Sequence, residues 1–468
     1  MMSKKKIIIF IIISLLTFLL GSIFLFSADN KYIKKLNLLI PTPVKTFIKN
    51  TVFIFPNHFR EFNYLVKKTG VLQGEIFKLK SENLALKSAI FSGQNTSNEI
   101  IKSKNGREFN LKLFQLPWNN YWASDPKQRN NHKKDAYLDS YLDDVYVVFI
   151  TGKIIKFNKN DIHKQFLDTK EIKNNILDFL KNSSQRWVGV KDILILKDEI
   201  FVSYSKAIGD PENKCYNTSV LKGTLNSDKI FFEEFFTHDD CLDFNQREGS
   251  AQAGGRMVIY KDSLLLTGGD FKDNDLYKTN IEKRLFSKIL SINLKTKKHK
   301  IISQGLRNSQ GLLYVEEQDL IIASDHGPKG GDEVNRILID KKEIPHYGWP
   351  FASHGDFYGF ESTELRKNIM QFKNHKDNGY IEPILIFTPA IGPSEIVRAN
   401  YKSKNSFLVS SLNGRTLYEF EYTKKDIRAK LTDDIYIGER IRDIKLMENG
   451  EYFLILANTG TFAILRPL

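Results

Sequence analysis

One pattern of hydrophobic and polar positions recurs along the C-terminal part of the chain: a run rich in β-branched and aromatic residues, a short polar turn and a glycine. It occurs at Val145–Gly152, Ile200–Gly209, Leu264–Gly269, Ile321–Gly327, Phe407–Gly414 and Phe453–Gly460. A propeller blade is a four-stranded sheet of about 40 to 50 residues, which fits one such run per blade with inserted loops. The pattern predicts an all-β fold, a six-bladed β-propeller, over residues 106–468. A two-sheet sandwich is the alternative, but a long row of hairpins without helices favours the propeller.

An apolar segment stands near the N-terminus. Ile7–Phe26 contains 20 residues without a charge and follows M-M-S-K-K-K. As a helix, this length spans a hydrocarbon core of about 30 Å, and the preceding lysines place the N-terminus in the cytoplasm. A cleaved signal peptide is the alternative because Ser27-Ala28 suits cleavage, although its apolar region usually has only about 7 to 15 residues. We therefore expect residues 1–30 to be a transmembrane anchor in the inner membrane, with the propeller on the periplasmic side.

A heptad pattern follows within residues 31–105. Its core positions alternate at intervals of three and four residues, and all but Thr69 and Asn83 are apolar. They are Phe62, Leu65, Thr69, Leu72, Ile76, Leu79, Asn83, Leu86 and Ile90. Such a seam with charged flanks is typical of a coiled coil, although Gly70 and Gly74 weaken it. We expect a helical stalk, with a homo-oligomer possible through residues 62–90, and a polar linker over residues 92–105. A single amphipathic helix packed on its own domain is the alternative.

The net charge of +14 is compatible with binding to nucleic acid or to an anionic membrane surface. The lysines, however, are spread along the whole chain, and no basic stripe with interleaved aromatic residues is present. We therefore expect no nucleic-acid partner.

The chain contains two cysteines, Cys215 and Cys241, in loop-like sequence. In an exported domain, an isolated pair is most simply one disulfide that closes a loop. Two unrelated free thiols are the alternative, whereas two cysteines alone are a poor metal site.

The segment Ser324–Asn335, S-D-H-G-P-K-G-G-D-E-V-N, has the composition of a loop that cradles a ligand. Its sharp turn at Gly327-Pro328 offers backbone carbonyls, and Asp332 and Glu333 are near in sequence, which suits a hard cation such as calcium. Four arginines occur in other loops expected at the channel mouth: Arg256, Arg307, Arg440 and Arg442. Arginines that converge repel one another unless an anion lies among them, and carboxylates fit their planar donor groups. A structural loop with surface charges is the alternative.

Four segments together resemble one family. They are G-L-R-N-S-Q-G-L (305–312), D-H-G-P-K-G-G-D-E-V-N (325–335), Y-G-W-P (347–350) and P-A-I-G-P-S (389–394). Their order and spacing are similar to those of the pyrroloquinoline-quinone (PQQ)-dependent sugar dehydrogenases, the glucose and sorbosone dehydrogenase family. The resemblance covers roughly residues 140–468 and implies a six-bladed propeller, a sugar substrate, and PQQ with calcium as cofactors.

The resemblance also implies roles for individual residues. Calcium would be held partly by the carbonyls of Gly327 and Pro328, and the quinone by Arg307 and Asn308. The late R-x-R-D motif matches Arg440 and Arg442, an early pocket glutamine matches Gln185, and the lysine of the family's S-S-L-K element matches Asn413.

This sequence departs from the family pattern at the catalytic base. Family members carry a histidine before the Gly-Gly-Arg element, whereas S-A-Q-A-G-G-R places Gln252 there. Glutamine can hold a hydroxyl by hydrogen bonding but cannot act as a base. Four other groups lie in neighbouring loops and are candidates to replace it: His238, Asp243, His326 and His354. A threonine of some members corresponds to Ala390.

Two functions remain open at this point. The first is an exported, membrane-anchored quinoprotein that oxidises an aldose or a related alcohol, with Arg307 at the reacting centre. The second is a non-catalytic propeller that binds a polysaccharide or an envelope partner, because Gln252 replaces the histidine.

Overall fold

The computed structural model describes ten ranges of the chain: 93–117, 135–180, 188–209, 215–225, 228–243, 251–272, 283–339, 341–359, 361–399 and 404–468. The segment predicted as an anchor (7–26), the heptad (62–90) and Gln185 lie outside them. Within the described ranges, no helix is both long enough and apolar enough to cross a bilayer.

Six sheets, antiparallel except for one short parallel pair, form the described part of the propeller. Blade 1 consists of β3 (Ala136–Tyr141), β4 (Asp144–Phe149), β5 (Ile154–Asn158), β6 (Lys170–Asn174) and the parallel outer strand β10 (Lys229–Ile230). Blade 2 consists of β7 (Val190–Leu196), β8 (Glu199–Ile208), β9 (Cys215–Thr224) and β11 (Phe232–Phe236), with β12 (Leu242–Asp243) beside β9. Blade 3 consists of β13 (Gly254–Tyr260), β14 (Ser263–Gly268), β15 (Lys288–Asn293) and β16 (His299–Gln304).

The remaining three blades follow the same order, from an inner to an outer strand. Blade 4 consists of β17 (Ser309–Val315), β18 (Leu320–Asp325), β19 (Asp332–Ile337) and β20 (Leu385–Phe387). Blade 5 consists of β21 (Pro393–Arg398), β22 (Ser406–Ser411), β23 (Thr416–Glu421) and β24 (Lys430–Tyr436). Blade 6 consists of β25 (Ile441–Leu446), β26 (Tyr452–Leu456), β27 (Thr461–Pro467), β2 (Glu108–Gln115) and β1 (Asn95–Lys102).

The prediction of a six-bladed propeller is confirmed. Each of the six glycine-ended runs covers all but the first residue of the second strand of one blade: β4, β8, β14, β18, β22 and β26. These strands are buried along most of their length, as in β22, where all positions are buried. Since a neighbouring blade covers each face, they read as continuous hydrophobic runs.

Strands from near the start and from the end of the described residues close the ring. In blade 6, β2 pairs antiparallel with β27 from Phe109 opposite Pro467 to Gln115 opposite Thr461. The inner strand β25 then contacts β3 of blade 1. The linker prediction over residues 92–105 is wrong for Asn95–Lys102, which forms β1 and pairs with β2. The propeller therefore begins before residue 106, because β1 extends the closing sheet outward.

The hydrophobic core lies between the faces of adjacent blades. One cluster joins blades 1 and 6, where the rings of Phe157 and Phe462 meet edge to face with centroids 4.9 Å apart. Similar clusters join blade 2 to blade 1 and blade 5 to blade 4. Because this packing holds each blade against its neighbours, the inner strands are positioned around one channel.

Irregular segments connect the strands and reach the channel mouth. The described part includes two short helices, α1 (Ile176–Leu180) and α2 (Thr363–Arg366), and 3₁₀ turns at Lys159–His163, Glu316–Gln318 and Lys376–Asn378. The longest connection joins β19 to β20 through residues 338–384. We call it the blade 4 excursion; it contains the Y-G-W-P motif.

Candidate functional site

Asp325 holds the loop that carries the G-x-R-N motif. It is the last residue of β18 and is buried. Its carboxylate accepts hydrogen bonds from the backbone N–H of Arg307 at 2.8 Å and of Asn308 at 2.7 Å, and from the Ser309 hydroxyl at 3.0 Å. Two motifs that are separate in sequence therefore form one rigid unit.

Asp332 performs a similar structural task one strand later. It accepts hydrogen bonds from the backbone N–H of Gly327 at 3.0 Å and of Gly392 at 2.7 Å. It therefore joins the Gly327 loop to the P-A-I-G-P-S loop. Glu333 instead lies beside His375, with 3.6 Å between Oε1 and Nε2. Asp332 thus uses its oxygens for backbone N–H groups and Glu333 faces His375, so whether either serves a cation at Gly327-Pro328 stays a prediction.

Gln252 is held in a left-handed backbone conformation, with φ of 60°. Its carbonyl accepts a hydrogen bond from Phe271 N–H at 3.1 Å, and the Ala253 carbonyl accepts one from Gly269 N–H at 3.0 Å. A Cβ on Gly269 would lie 1.7 Å from the Gln252 carbonyl oxygen, so this position needs glycine. A non-glycine residue in this conformation costs about 1 to 3 kcal/mol and is most frequent at functional sites.

The Gln252 side chain joins a buried polar network. In the amide orientation that satisfies both of its groups, its nitrogen donates to Asp270 Oδ1 at 2.8 Å and its oxygen accepts from Arg307 Nη2 at 3.0 Å. Asp270 is completely buried, and its Oδ2 accepts from the Trp349 indole N–H at 3.1 Å. The base position of the family is therefore occupied by an amide that bridges a carboxylate and a guanidinium.

Arg307 lies at the centre of this network. Its guanidinium is 5.0 Å from the centroid of the Trp349 ring, and its Nη1 donates to the Gly327 carbonyl at 2.8 Å. The Pro328 carbonyl accepts from Gly331 N–H at 3.1 Å. Both carbonyls that were predicted to bind calcium thus accept one internal hydrogen bond, and each oxygen retains a second lone pair.

Arg256 does not belong to the ligand-binding group that the sequence suggested. Its Nη1 lies 2.9 Å from Asp192, 2.9 Å from Glu395 and 2.8 Å from Asp443. Burial raises the pKa of Glu395 to about 8, with Asp443 and Asp192 adding to the shift and Arg256 opposing it. Three carboxyl groups thus surround one guanidinium on the inner strands, so Arg256 ties blades together.

Arg442, Arg440 and Lys191 gather around one carboxylate, Asp135. Arg442 pairs with it through Nε at 3.0 Å and Nη2 at 3.1 Å. Burial lowers the pKa of Lys191 to about 7, with Arg442 adding to the effect and Asp135 opposing it. The pKa of Arg440 is also lowered, by burial and by Arg442. This part of the channel mouth therefore has a positive electrostatic potential.

His326 faces the same arginines. Its Nε2 is hydrogen bonded to the Pro393 carbonyl. Desolvation lowers its pKa to about 3, and Arg442, Arg307 and Arg440 add to the shift. The ring is neutral at pH 7, and three arginines of the predicted site are close enough to act on it.

The other predicted residues lie in the same loops. The Asn308 side-chain oxygen accepts from Gly254 N–H at 3.1 Å and from the Gln310 amide at 3.0 Å. Gln310 in turn accepts from Arg442 Nη1 at 3.2 Å. Asn413 is exposed and donates to the Ala390 carbonyl at 3.2 Å. Asn308 therefore links the Gln252 loop to Arg442, whereas Asn413 lies at the rim.

The remaining candidates for the base lie elsewhere. His238 is in an aromatic cluster with Phe236 and Phe286, and burial lowers its pKa to about 4. His354 stacks on His375 with ring centroids 4.7 Å apart. Asp243 is in β12. The ring contacts of His238 and His354 are thus made with residues other than Gln252.

Cys215 and Cys241 are joined by a disulfide, with Cα atoms 5.4 Å apart. It connects the start of β9 to the residue before β12. The bond ties an outer loop of blade 2 and does not touch the arginine network.

Asp270, Trp349 and Lys191 were not identified as site residues from sequence. Asp270 directly follows the glycine-ended run Leu264–Gly269, and an acidic residue at that point was a usable signal. Trp349 stands in the Y-G-W-P motif, whose sequence does not indicate what the indole contacts. Lys191 carried no signal, because a single lysine on an inner strand looks like any other in a lysine-rich chain.

Fold and site together define a six-bladed propeller with a cationic cluster of Lys191, Arg440 and Arg442 near the start of two inner strands. The profile of the Glucose / Sorbosone dehydrogenase family matches residues 168–466, more than half of the chain. The chain belongs to this family, and the resemblance drawn from the loop motifs is confirmed.

Individual relatives match over shorter stretches. An uncharacterized protein from Synechocystis sp. is 28% identical over 156 residues, covering 33% of this chain and 35% of that protein. Aldose sugar dehydrogenase YliI from Escherichia coli is 29% identical over 175 residues, covering 36% of this chain and 43% of that enzyme. The matches therefore span less than half the length of these curated relatives.

A solved structure shares the fold. The soluble aldose sugar dehydrogenase from Escherichia coli, in its apo form, superimposes with a TM-score of 0.57 at 18% identity. The superposition covers 72% of this chain and 96% of that chain. At this identity the likeness supports the propeller architecture alone.

Proposed function

We propose that this chain is an exported, membrane-anchored dehydrogenase that oxidises an aldose or a related alcohol with PQQ and calcium. The observation that carries the proposal is the cluster of Lys191, Arg440 and Arg442 around the single carboxylate of Asp135. An electropositive, partly buried mouth of this kind suits a small ligand with several carboxylates.

The residues present fit the quinone. The lowered pKa of Lys191 and of Arg440 means that each cation is destabilised by its surroundings. A tricarboxylate bound among them would offset that repulsion, and the planar guanidinium groups offer paired donors. Arg307 and Asn308 would contact the quinone from the opposite loop.

Calcium fits under one condition. The Gly327 and Pro328 carbonyls each keep a free lone pair for a hard cation. The Arg307 guanidinium, however, donates to the Gly327 carbonyl at 2.8 Å, and a cation at that oxygen would repel it. Arg307 must therefore turn away from Gly327 toward the anionic ligand when calcium is present.

Because Gln252 stands where the family has a histidine, another residue must take the proton of the substrate hydroxyl. When bound, the quinone would supply the acceptor for the hydride from the carbinol carbon. The Gln252 amide can hold the substrate hydroxyl but cannot take its proton. We assign that role to Asp270, whose Oδ1 lies 2.8 Å from the Gln252 amide nitrogen. Because Asp270 is completely buried, the Gln252 side chain must turn aside for the carboxylate to reach the hydroxyl.

Calorimetric titration of PQQ into the purified protein, with and without calcium, tests the cofactor. We expect saturable binding that strengthens with calcium and weakens at least tenfold in Arg440→Met. The matched control is Arg398→Met on β21, whose guanidinium pairs with Glu317 outside the mouth. Absence of PQQ binding under both conditions would contradict the proposal.

Dye-linked oxidation of a panel of aldoses and alcohols, by protein loaded with PQQ and calcium, tests turnover. Reduction of the dye by at least one substrate is expected, and Asp270→Asn should abolish it without loss of PQQ binding. If the protein binds PQQ but oxidises nothing, the non-catalytic role that Gln252 first suggested is the better reading.

The membrane and oligomer predictions belong to the same proposal. Residues 7–26 would hold the propeller at the outer face of the inner membrane, and the heptad at 62–90 would associate copies. Cell fractionation of the full chain and of a chain lacking residues 1–30 tests the anchor. Sedimentation of a chain that begins at residue 31, against one that begins at residue 93, tests self-association.

A further inference from the structure

A second cluster of metal-ligating side chains lies apart from the arginine network. It consists of Glu333 on β19 and of His354 and His375 in the blade 4 excursion, and one potential ligand atom from each lies within 4.8 Å of the other two. Glu333 and His375 are buried, with 6% and 1% of their surface exposed, and His354 is partly buried.

The cluster has unused hydrogen-bonding capacity. Within the described residues, His354 Nε2 makes no hydrogen bond, although a Glu382 oxygen lies 3.4 Å away, and His375 Nε2 faces Glu333 Oε1 at 3.6 Å. The Glu333 carboxylate accepts a hydrogen bond from the Asn335 amide at 3.2 Å. Burying a carboxylate and two imidazoles is costly unless each group is satisfied. A cation bound between Glu333 and His375 Nε2 would neutralise the buried carboxylate and give that ring nitrogen a partner.

The surrounding residues hold the cluster in place. Glu382 accepts a hydrogen bond from the backbone N–H of His375 at 3.0 Å, lies 3.4 Å from His354 Nε2 and pairs with Arg428 at 2.8 Å. A Cβ on Gly348 would lie 2.4 Å from His375 Cδ2, so this glycine allows His375 to pack against the Y-G-W-P segment.

We propose that Glu333, His354 and His375 bind a divalent transition-metal ion of the zinc class. Two imidazoles and one carboxylate form a ligand set typical of zinc, whereas calcium takes oxygen ligands. Ligands about 2.0 to 2.1 Å from a tetrahedral ion lie roughly 3.3 Å apart. The Glu333–His375 pair is already at 3.6 Å, and a turn of the partly exposed His354 ring completes the set.

The state of the imidazoles agrees with this assignment. Burial lowers the pKa of His375 to about 4 and also lowers that of His354. Both rings are therefore neutral at pH 7, the form that binds metals. An open fourth position would be filled by water or by a further carboxylate.

The ion would have a structural consequence for the site. Glu333 belongs to blade 4, and the excursion that carries both histidines also carries Trp349, which packs on Arg307. The ion would clamp this excursion to the blade and so hold the wall of the channel mouth.

Zinc binding by the full chain tests the proposal. The protein is freed of metal with a chelator, returned to one equivalent of ZnSO₄ and titrated against a chromophoric chelator. One equivalent should be retained, and Co²⁺ in its place should give the absorption bands of a tetrahedral site. Zinc should also raise the melting temperature of the propeller.

Two variants locate the ion. His354→Ala removes a partly exposed ligand, and Glu333→Gln keeps the volume of the buried one. Each should weaken zinc binding at least tenfold and remove the thermal shift. His163→Ala, at an exposed histidine in blade 1, is the matched control and should bind zinc as the unmodified chain does. Retention of no zinc, binding unaffected by both variants, or retention of calcium in preference to zinc would overturn the proposal.

Discussion

At the scale of single residues, Gln252 and its neighbours decide the chemistry. The amide bridges Asp270 and Arg307, so the site keeps the carboxylate and the guanidinium that would orient a histidine. What it lacks at this position is a side chain that titrates near neutrality.

We expect Gln252→His to raise the dye-linked oxidation rate by about 10²-fold, the lower end of a general base's usual contribution, because the imidazole would reach the hydroxyl directly, whereas Asp270 acts only when Gln252 turns aside. Asp270 would accept a hydrogen bond from the new ring and stabilise its charged form. Asn413→His, which adds an imidazole at the exposed rim, is the control and should leave the rate unchanged. A Gln252→His protein that binds PQQ normally but gains no rate would show that another part of the pocket limits turnover.

Lys191 should make PQQ binding depend on pH. Its pKa of about 7 in the free protein means that it is charged at pH 6 and mostly neutral at pH 8. An anionic ligand stabilises the charged form, so binding above pH 7 requires proton uptake and becomes weaker as pH rises. Titrations should show roughly a tenfold rise in Kd from pH 6 to pH 8, given a pKa of about 7.

The control for this pH effect is Lys191→Met, which should bind PQQ more weakly at pH 6 and with little dependence on pH. Lys329→Met, at an exposed lysine of the Gly327 loop, should keep the dependence of the unmodified chain. A pH dependence that survives in Lys191→Met would assign the effect to another group.

At the scale of elements, buried carboxylates at the ends of strands organise the mouth. Asp325 at the end of β18 holds the Arg307 loop, and Asp332 at the start of β19 holds the Gly327 and Gly392 loops. The loops are therefore fixed by carboxylates that bond to their backbone N–H groups, which explains why the motif contains acidic residues.

Asp325→Asn should loosen the Arg307 loop with little change in volume. The amide presents a donor where three donors already converge, so we expect a loss of about 3 kcal/mol in the free energy of unfolding. Urea denaturation measures the loss. Asp319→Asn, in the turn before β18, is the control and should stay close to the unmodified chain, since asparagine tolerates its left-handed conformation. Equal stability of the two variants would contradict this role.

At the scale of the whole molecule, the ring is closed where β2, near the start of the described residues, pairs with β27, the last strand. The β2–β27 pairing is continuous from Phe109 to Gln115. Without it, β27 would be an open edge, and blade 6 would lose the buried side chains of β2, among them Phe109, Leu111 and Phe114.

A chain beginning at residue 93 should therefore fold and melt cooperatively, whereas one beginning at residue 116 should aggregate or melt at a much lower temperature. Circular dichroism melts and sedimentation distinguish the two outcomes. If both chains melt at the same temperature as monomers, closure by β2 is not required for stability.

Much of this architecture could be predicted because it depends on short stretches of neighbouring residues. Each second strand is a continuous hydrophobic run that ends in a glycine, and the six runs were enough to count the blades. The loop motifs at Arg307 and Gly327 were also recognisable, because a turn needs particular residues at particular spacings. The strand β1 was missed because its sequence is polar and its partner is formed by the far end of the propeller.

Which charges remain available to a ligand was decided only by the tertiary structure. Arg256 resembled the other arginines in sequence, yet it is paired with Asp192, 64 positions away, and Asp443, 187 positions away. The sequence likewise contains no indication that Lys191 lies near Arg442. It contains none that Glu333 lies beside two histidines. The physical reason is that burial and charge pairing depend on distances across the ring. The chain determined by itself where strands and turns form, whereas the closure of six blades determined which side chains meet.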